Sequence, residues 1–579
     1  MINVISTNIT SPLGFTTEQN YKAVLAGVSA LQRYEGLWGL PEPFAASLFS
    51  EEQNAALAIG GYTRFESLAI RSVREALSQT QLDVASSRVV LILSTTKGNI
   101  SSIQDSRLNQ DESFFPSEAA QKIAEAIGLT TKPTVVCNAC VSGLSAQLLA
   151  NHLLSAGLYD YAIVVGAEVQ SKFIVSGFQS LKAVSGEPCR PFDIERNGLN
   201  PGEAAATIIF ASHLLLREGR AVPEVSPQGD LEGAASWHLV DGASCNDAYH
   251  NVSPSPQGDG LCKAIETVMR HRDKAQLATV CAHGTATLYN DQMEAKAIRR
   301  SGLQDIPLTS LKGYYGHTMG AAGVLETILT MRATDDGIVL PSKGFSELGV
   351  SEKVCISSES RQTEKTSFLK LISGFGGCNV AALYTKDPPT PFRGSNGRWM
   401  KKQTVRISSE DGKSLTEIYK QQIGDYPKFY KMDILSRLAF VATELLKKES
   451  LLPSEEVWEG VILFNHSSSI VADRQFLATI SDVENIFPSP SVFVYTLPNI
   501  AAGEIAIRHH ICGETSFYIL PEKDETLMQQ ILEASLSASG ATRVICGWVD
   551  AESETSYECE ISTYEMKNEE FATALNCEL

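Results

Sequence analysis

Residues 135–145 read VVCNACVSGLS, and this stretch decides the fold because an apolar strand ends in it and a helix begins. The thiol of Cys140 stands at the start of that helix, where the positive end of the helix dipole favours the nucleophilic thiolate. Cys137 and Cys140 also form a C-x-x-C pair, but neither a second ligand pair nor a thioredoxin-like pattern accompanies it. Two interpretations therefore remain for Cys140, a catalytic nucleophile and a buried structural cysteine.

Short apolar runs and amphipathic segments alternate on both sides of this stretch. Strands are predicted over 89–93, 134–136 and 161–165, and helices over 117–127 and 144–154. The same alternation returns between residues 277 and 384. Near-continuous apolar strands separated by helices are typical of parallel sheets covered on both faces, so the sequence predicts a layered α/β fold.

Composition excludes several classes of protein. The chain has 579 residues, of which 43% are hydrophobic and 20% charged, as in globular proteins of several compact units. A net charge of −19 disfavours nucleic acid as the main partner. The sequence contains neither a secretory signal at residues 1–14 nor an apolar run of about 18 residues, so no transmembrane segment is predicted. Twelve scattered cysteines predict a reduced, cytoplasmic protein.

A second module follows a break in the pattern. Three prolines and two glycines between residues 388 and 397, followed by Arg398, Lys401 and Lys402, predict a linker over 386–403. Residues 404–579 carry 13 basic and 28 acidic residues, so most of the negative charge lies there. Three segments of this part resemble earlier ones in the same order: 461–467 resembles 90–96, 498–506 resembles 116–124, and 543–547 resembles 162–166. We therefore predict an internal repeat.

Two histidines lie in turns rich in glycine and threonine. His283 begins HGTAT (283–287), and His317 lies within KGYYGHTMGAAG (312–323). Loops that follow strands are where α/β sheets place catalytic groups, so one cysteine and two such histidines favour covalent catalysis. A metal site is the competing use of these residues, but no ligand-spaced cluster accompanies them.

The turn GFGGCN (374–379) follows a predicted strand over 369–372. Its glycines would allow the backbone to approach a ligand and direct an N–H group at it. A plain tight turn is the alternative. A phosphate-binding loop is disfavoured because the lysine and hydroxyl residue of a P-loop do not follow.

Taken together, these motifs resemble the β-ketoacyl-acyl-carrier-protein synthases, the elongating condensing enzymes with the thiolase fold. The resemblance covers about residues 1–385. It implies a thiolase-like, layered α-β-α-β-α fold of two similar halves, with the nucleophile in 1–245 and both catalytic histidines in 246–385. The matching segments are NACVSG (138–143), RPFDIERNG (190–198) with Gly202 and Glu203, DAYH (247–250), HGTAT with Asn290 and Asp291, residues 312–323, and GFGG (374–377).

The resemblance also implies a role for each site residue. Cys140 would hold the acyl chain as a thioester, while His283 and His317 would bind the malonyl thioester carbonyl and assist loss of carbon dioxide. The backbone N–H groups of Cys140 and Phe375 would form the oxyanion hole, and the Phe375 ring would gate the acyl pocket. The remaining implied site residues are Lys312 paired with Glu326, Thr285 and Thr287 on the pantetheine arm, and Gly374 and Gly376 at the substrate.

The resemblance implies no metal and no freely bound cofactor, because the phosphopantetheine belongs to a partner acyl carrier protein. It implies malonyl and acyl thioesters as substrates and a homodimer formed through the central sheet. The sequence departs from the family at Val141, Ala204 and Cys378, where a smaller residue, glycine and threonine are common. These departures could reshape the acyl pocket without removing a catalytic group.

Residues 404–579 resemble the N-terminal half of a ketosynthase, as in the small ketosynthase-like proteins of aryl-polyene pathways. This would be a half-thiolase-like α/β domain. Transferring the position of Cys140 through the repeat leads to Glu522 or Pro521, and no cysteine lies between Cys512 and Cys546. We therefore expect this module to be catalytically inert.

The sequence thus predicts a decarboxylative Claisen condensation, in fatty-acid-like, aryl-polyene or polyketide synthesis. The alternative is a non-catalytic chain-length factor or scaffold partner of another ketosynthase, although Cys140, His283 and His317 are all present. Thiolase chemistry on coenzyme A substrates is a third possibility, and the paired histidines disfavour it.

Overall fold

The computed structural model describes residues 1–105, 114–213, 215, 237–387, 398–449, 458–482, 486–536 and 541–567. Within these residues, 16 strands form one continuous sheet, and two further sheets have two strands each. The predicted layered α/β fold is confirmed. Among the described residues, no helix has the length and apolar character needed to cross a membrane.

The chain contributes its helices and strands in three parts. The first part contains β1 Ile2–Thr10, α1 Thr17–Leu25, β2 Gln32–Tyr34, β3 Phe44–Ala46, α2 Glu51–Leu57, α3 Arg64–Ser78, β4 Val89–Ser94, α4 Ser102–Asp105, α5 Pro116–Ala126, β5 Thr134–Val136, α6 Ser142–Ser155, β6 Tyr161–Glu168, α7 Lys172–Ser180 and β7 Ala204–Ser212. The second contains β8 His238–Asn246, α8 Asp259–Val268, β9 Leu277–Cys281, α9 Leu288–Arg300, β10 Pro307–Thr309, α10 Lys312–Tyr315, α11 Ala322–Asp335, β11 Ile338–Val339, β12 Cys355–Ile356, β13 Arg361–Gln362, β14 Ser367–Gly374 and β15 Cys378–Thr385. The third contains β16 Arg398–Ser408, α12 Leu415–Gln422, α13 Ile434–Glu449, β17 Val461–Asn465, α14 Ile470–Ala478, α15 Pro490–Tyr495, α16 Ile500–His509, β18 Thr515–Ile519, α17 Glu525–Leu536, β19 Arg543–Ser553 and β20 Ser556–Lys567.

The predicted internal repeat is confirmed by strand order. The first part runs β5-β4-β6-β7-β1 across the sheet, and the third part runs β18-β17-β19-β20-β16. Each step also has the same orientation, with two parallel pairs followed by two antiparallel pairs. The third part, which we call the C-terminal module, therefore repeats the sheet of the first.

The C-terminal module continues the central sheet. Strand β18 pairs antiparallel with β5, matching Tyr518 with Val136 and Ile519 with Val135. Strand β5 is thus paired on both sides, with β4 and with β18 of the same chain. The predicted homodimer through the central sheet stays a prediction, and this edge of β5 is already occupied within one chain.

Apolar clusters on both faces of the sheet cross the junction between the modules. On one face Leu91 belongs to the same cluster as Leu463 of the C-terminal module. On the other face Ile92 belongs to the same cluster as Phe464. Because side chains alternate along a strand, both faces of β4 share their core with β17. The two modules are packed as one body.

The predicted linker is too long at its C-terminal end. Residues 398–403 lie in β16, whose backbone pairs with β20 from Arg398 to Ser408. Trp399 is buried beneath this strand, while Lys401 and Lys402 are exposed. Charged side chains on the solvent face of a strand resemble a polar linker in sequence, which explains the error. Residues 388–397, with the prolines and glycines, lie outside the described residues.

Candidate active site

Cys140 lies at the point where β5 gives way to α6. A short 3-10 turn, Ala139–Val141, joins the two elements, and Ala139 has a φ of 48°. A non-glycine residue in this left-handed region is held by its surroundings. Here Ser142 Oγ donates to Ala139 O at 2.6 Å and accepts from Asn138 N–H at 2.8 Å. The turn directs the Cys140 side chain into a cavity.

Helices α6 and α11 bring the nucleophile and one histidine together. The two helices touch near their N-termini, where a Cβ on Gly323 would lie only 2.4 Å from Leu144 N. Only glycine permits so close a backbone approach. Cys140 precedes α6 and His317 precedes α11, so this contact places both side chains at one site.

Three reactive side chains meet in the cavity. Cys140, His283 and His317 are all buried, and each offers a sulfur or nitrogen atom within 4.8 Å of the others. The two imidazole rings lie edge to face with centroids 5.1 Å apart. The structure thus brings together the nucleophile and both histidines that the sequence singled out from three distant segments.

Backbone contacts fix each histidine. The carboxylate of Glu294 accepts from His283 N–H at 2.6 Å and from Gly284 N–H at 2.8 Å. His317 Nδ1 accepts from Met319 N–H at 3.2 Å, so the proton of the neutral ring lies on Nε2. Among the described residues, His317 Nε2 and His283 Nδ1 have no hydrogen-bond partner. Both atoms are buried, so each retains an unused capacity for one hydrogen bond.

Burial keeps both imidazoles neutral. It lowers the pKa of His283 and of His317 well below the usual value, and the positive charge of Lys312 lowers both further. A neutral ring can donate one hydrogen bond and accept another, which suits proton transfer and carbonyl binding.

A buried ion cluster supplies that positive charge. The predicted contact between Lys312 and Glu326 is present, with Lys312 Nζ 2.7 Å from Oε1. Lys370 Nζ lies 2.6 Å from Oε2 of the same carboxylate, and sequence reasoning missed this residue. Although burial opposes it, the charges of both lysines lower the pKa of Glu326. A lysine in the middle of the apolar run FLKLI (368–372) was the available signal.

Burial of Cys140 disfavours its thiolate form. It raises the pKa of Cys140 to about 12, opposed by the charge of Lys312 and by hydrogen bonds from the N–H groups of Cys140 and Phe375. Desolvation therefore opposes the thiolate that the helix dipole is expected to favour. The same two N–H groups are the pair predicted to form the oxyanion hole.

The remaining predicted site residues divide into two groups. Thr285 and Thr287 line the cavity, with their hydroxyl oxygens 2.9 Å apart, and so do Gly374 and Phe375. The cavity measures about 280 Å³. Gly376, predicted at the substrate, does not line it. Its N–H donates to Asn251 O and its carbonyl accepts from Asn246 Nδ2, both at 2.7 Å. Gly376 therefore faces other residues of the protein.

Cys137 does not join this site. Its thiol is buried and lies 3.5 Å from Thr96 O, and burial raises its pKa to about 12. In the described part of the chain, the one cluster able to ligate a metal ion is Cys140, His283 and His317. These three donors would suit zinc, so the metal interpretation left open by the sequence applies to the same residues.

The positions to which the repeat transfers the nucleophile carry no cysteine. Transfer by sequence leads to Glu522 or Pro521. The exposed Glu522 carboxylate lies 2.7 Å from Lys132 Nζ on the surface. The strand that precedes it contacts the strand before Cys140, because Val136 pairs with Tyr518 and Cys137 N–H donates to Phe517 O.

Comparisons with known proteins place these features in a family. Residues 1–214 match the family model for the beta-ketoacyl synthase N-terminal domain, and residues 239–346 match the model for the C-terminal domain. The chain is 27% identical over 367 residues to the tetracenomycin polyketide synthase ketoacyl synthase alpha subunit of Streptomyces glaucescens, covering 57% of this chain and 82% of that protein. It is 27% identical over 420 residues to 3-oxoacyl-[acyl-carrier-protein] synthase 2 of Vibrio cholerae serotype O1, covering 65% of this chain and 96% of that protein.

Solved structures show the same fold. A beta-ketoacyl synthase from Burkholderia phymatum aligns with a TM-score of 0.58 and 22% identity, over 66% of this chain and 98% of that one. The PfaC keto synthase-chain length factor aligns with a TM-score of 0.73 and 13% identity, over 97% of this chain and 78% of that one. The predicted thiolase-like ketosynthase fold is confirmed, and the second alignment extends through the C-terminal module.

Proposed function

The chain belongs to the beta-ketoacyl synthase family, and on this premise we propose that it catalyses decarboxylative Claisen condensation between malonyl-acyl-carrier protein and an acyl chain on Cys140. One observation carries the proposal. A buried thiol, two neutral imidazoles and two backbone N–H groups meet in one cavity. This arrangement provides a nucleophile, proton transfer and oxyanion stabilisation.

Acyl loading begins with the protonated Cys140. As its sulfur attacks the thioester carbonyl of the acyl carrier protein, the thiol proton passes to a neutral imidazole within 4.8 Å. The N–H groups of Cys140 and Phe375 stabilise the tetrahedral oxyanion. The bond from carbon to the pantetheine sulfur then breaks, and the departing sulfur takes up the proton. Cys140 is left as a thioester.

Condensation uses both histidines as hydrogen-bond donors. The Nε2–H group of His317 and the ring of His283 bind the malonyl thioester carbonyl, where negative charge grows as carbon dioxide leaves. The resulting enolate carbon attacks the acyl carbonyl on Cys140, and the cysteine sulfur is the leaving group. Lys312 and Lys370 with Glu326 place a net positive charge beside these steps. That charge favours the enolate and the released thiolate.

The proposed chemistry requires no metal and no freely bound cofactor. The phosphopantetheine would arrive on the carrier protein, with its arm held by the hydroxyl groups of Thr285 and Thr287 at the cavity wall. One structural relative, AntDE:AntF, is a ketosynthase in complex with its acyl-carrier protein. This likeness supports an acyl carrier protein as the partner of this chain.

For the C-terminal module we propose the role of a chain-length factor held in the same chain. Its Phe493 and Leu497 line a narrow gap of about 20 Å³ beside Cys140 and Phe375. The Phe493 ring lies 5.3 Å from that of Phe178, edge to face. An acyl chain extending from Cys140 would meet these side chains. A scaffold role for the whole chain is disfavoured, because the first module keeps Cys140 and both histidines.

Replacement of the nucleophile tests the proposal. Cys140→Ala should abolish both the acyl adduct, read by intact mass, and condensation with malonyl-acyl-carrier protein. Cys137→Ala is the matched control, since Cys137 is buried nearby but does not line the cavity, and it should retain both. Persistence of the adduct in Cys140→Ala, or equal loss in both variants, would contradict the proposal.

A further inference from the structure

We propose that Asn499 of the C-terminal module is a positioning residue for the oxyanion-hole turn, so that this module contributes to the rate of the chemistry itself. The inference rests on the proposed condensation and goes beyond the module's proposed effect on chain length. Asn499 precedes α16 and is only 1% exposed. Its Nδ2 donates to the carbonyl oxygen of Phe375 at 2.9 Å. This contact crosses from the C-terminal module to a residue that lines the cavity.

The turn and α16 lie in direct backbone contact. A Cβ on Gly376 would lie 2.6 Å from Asn499 Nδ2, and a Cβ on Gly503 would lie 2.9 Å from Gly376 O. Gly376 also has a φ of 87°, a conformation that other residues rarely adopt. Both the conformation and the space therefore require glycine where the turn meets the C-terminal module.

A second contact from the module holds the same turn. Gly376 N–H donates to Asn251 O at 2.7 Å, and Asn251 Nδ2 donates to Glu504 Oε1 at 2.6 Å. Glu504 is fully buried in α16 and accepts from Tyr495 OH at 2.9 Å, while Lys428 Nζ lies 2.7 Å from its other oxygen. The turn is thus tethered to the C-terminal module on both sides of the peptide that joins Phe375 to Gly376.

Fixing that peptide fixes the oxyanion-hole donor. The Phe375 N–H group that hydrogen-bonds to the Cys140 sulfur belongs to the same residue as the tethered carbonyl, and only the Cα of Phe375 separates the two peptide groups. With glycine on both sides of Phe375, the free turn would have several accessible conformations. Asn499 selects one of them. It does not touch the substrate, and it acts through the backbone of Phe375.

Asn499→Leu tests this assignment, because leucine has a similar size but cannot donate a hydrogen bond. We expect kcat for condensation to fall roughly 10- to 100-fold, as for a donor displaced by a fraction of an ångström, with KM for malonyl-acyl-carrier protein within about threefold of wild type. Alkylation of Cys140 by iodoacetamide at a fixed pH should slow about tenfold, since the N–H group that favours the thiolate is misplaced. Asn499→Asp is a second variant, which keeps the shape of the side chain but places an oxygen against the Phe375 carbonyl. We expect kcat and the alkylation rate to fall at least as much in this variant as in Asn499→Leu.

Lys132→Ala is the matched control. It removes contacts between the modules, to Glu522 and Asp524, on the exposed surface. We expect both rates to be unchanged in this variant. A kcat within twofold of wild type in folded Asn499→Leu or Asn499→Asp would overturn the assignment, as would a loss confined to KM or a loss shared with Lys132→Ala. The alkylation assay needs no carrier protein, so it decides the role of Asn499 even if wild type fails to condense and the proposed function falls.

Discussion

The buried ion pair between Lys97 and Asp473 should control how firmly the two modules are joined. Lys97 Nζ lies 2.6 Å from Asp473 Oδ1, and both side chains are less than 10% exposed. Asp473→Leu would leave the ammonium group buried with the Ser469 hydroxyl, 3.3 Å away, and the Thr496 carbonyl as acceptors. Removing one partner of a buried pair costs about 3 to 5 kcal/mol, and the two remaining acceptors favour the lower end of this range.

Replacing both partners should cost far less. Burial raises the pKa of Asp473 even though the Lys97 charge opposes it, so ionising this carboxylate in the folded state has a free-energy cost. A double variant, Lys97→Met with Asp473→Leu, removes this cost together with the attraction. We expect its free energy of unfolding to lie within about 1 kcal/mol of wild type, because apolar groups of similar volume often replace a buried pair without loss.

Urea unfolding followed by tryptophan fluorescence would measure all four members of this double-mutant cycle. Asp473→Leu should lose about 3 kcal/mol, and Lys97→Met should lose a similar amount. The coupling energy between the two sites should then be of the same order. A loss below about 1 kcal/mol in Asp473→Leu, or additive losses in the double variant, would refute the argument that this pair locks the modules together.

Three further predictions concern the pocket, the nucleophile and the C-terminal module. Phe493→Ala should lengthen the products by at least one round of extension, because Phe493 lines the gap beside Cys140. Phe487→Ala is the control, since this ring is 77% exposed, and mass spectrometry of its products should show no change in length. Added zinc should inhibit condensation and protect Cys140 from alkylation, because Cys140, His283 and His317 could ligate it, whereas chelators should leave activity unchanged. Loss of activity on adding a chelator would instead favour a resident metal. Burial raises the pKa of Glu444, but hydrogen bonds from His509 and Arg508 outweigh burial and lower this pKa from 4.5 to about 2. The stabilisation that ionised Glu444 contributes is therefore present above pH 4.5 and disappears as pH falls toward 2. Glu444→Gln should therefore be less stable than wild type at pH 7 in urea unfolding, with a difference that shrinks over this range; a constant difference would contradict the assignment.

Local sequence patterns located three strands and two helices of the first module. The predicted strand over 134–136 coincides with β5, and the predicted helix over 144–154 lies within Ser142–Ser155. These elements have continuous apolar runs or a clear helical period, so a short window of sequence is enough. The site could be predicted for a related reason, because Cys140 lies where a strand gives way to a helix and both histidines lie in turns rich in glycine and threonine.

The errors share a different origin, since each depends on contacts between distant parts of the chain. The position of Gly376 is set by Asn251 and Asn246, and the burial that raises the pKa of Cys140 comes from several segments. No feature of 134–136 indicates that the edge of this strand pairs with residues almost 400 positions later. Local periodicity does not encode which of two equivalent partners, a second chain or an internal repeat, completes a sheet.

The contacts of the C-terminal module explain how a repeat without a nucleophile can still matter to the active site. Phe517 in β18 binds both residues on the approach to the nucleophile: its carbonyl accepts from Cys137 N–H, and its N–H donates to Asn138 Oδ1 at 2.7 Å. Asn499 reaches the Phe375 turn, and Phe493 reaches the gap beside Cys140. These three residues lie on or beside β18, α15 and α16 of the C-terminal module. Glu522, one of the two positions to which the repeat transfers the nucleophile, lies on the surface. The module therefore acts on the active site through its contacts with the neighbouring module.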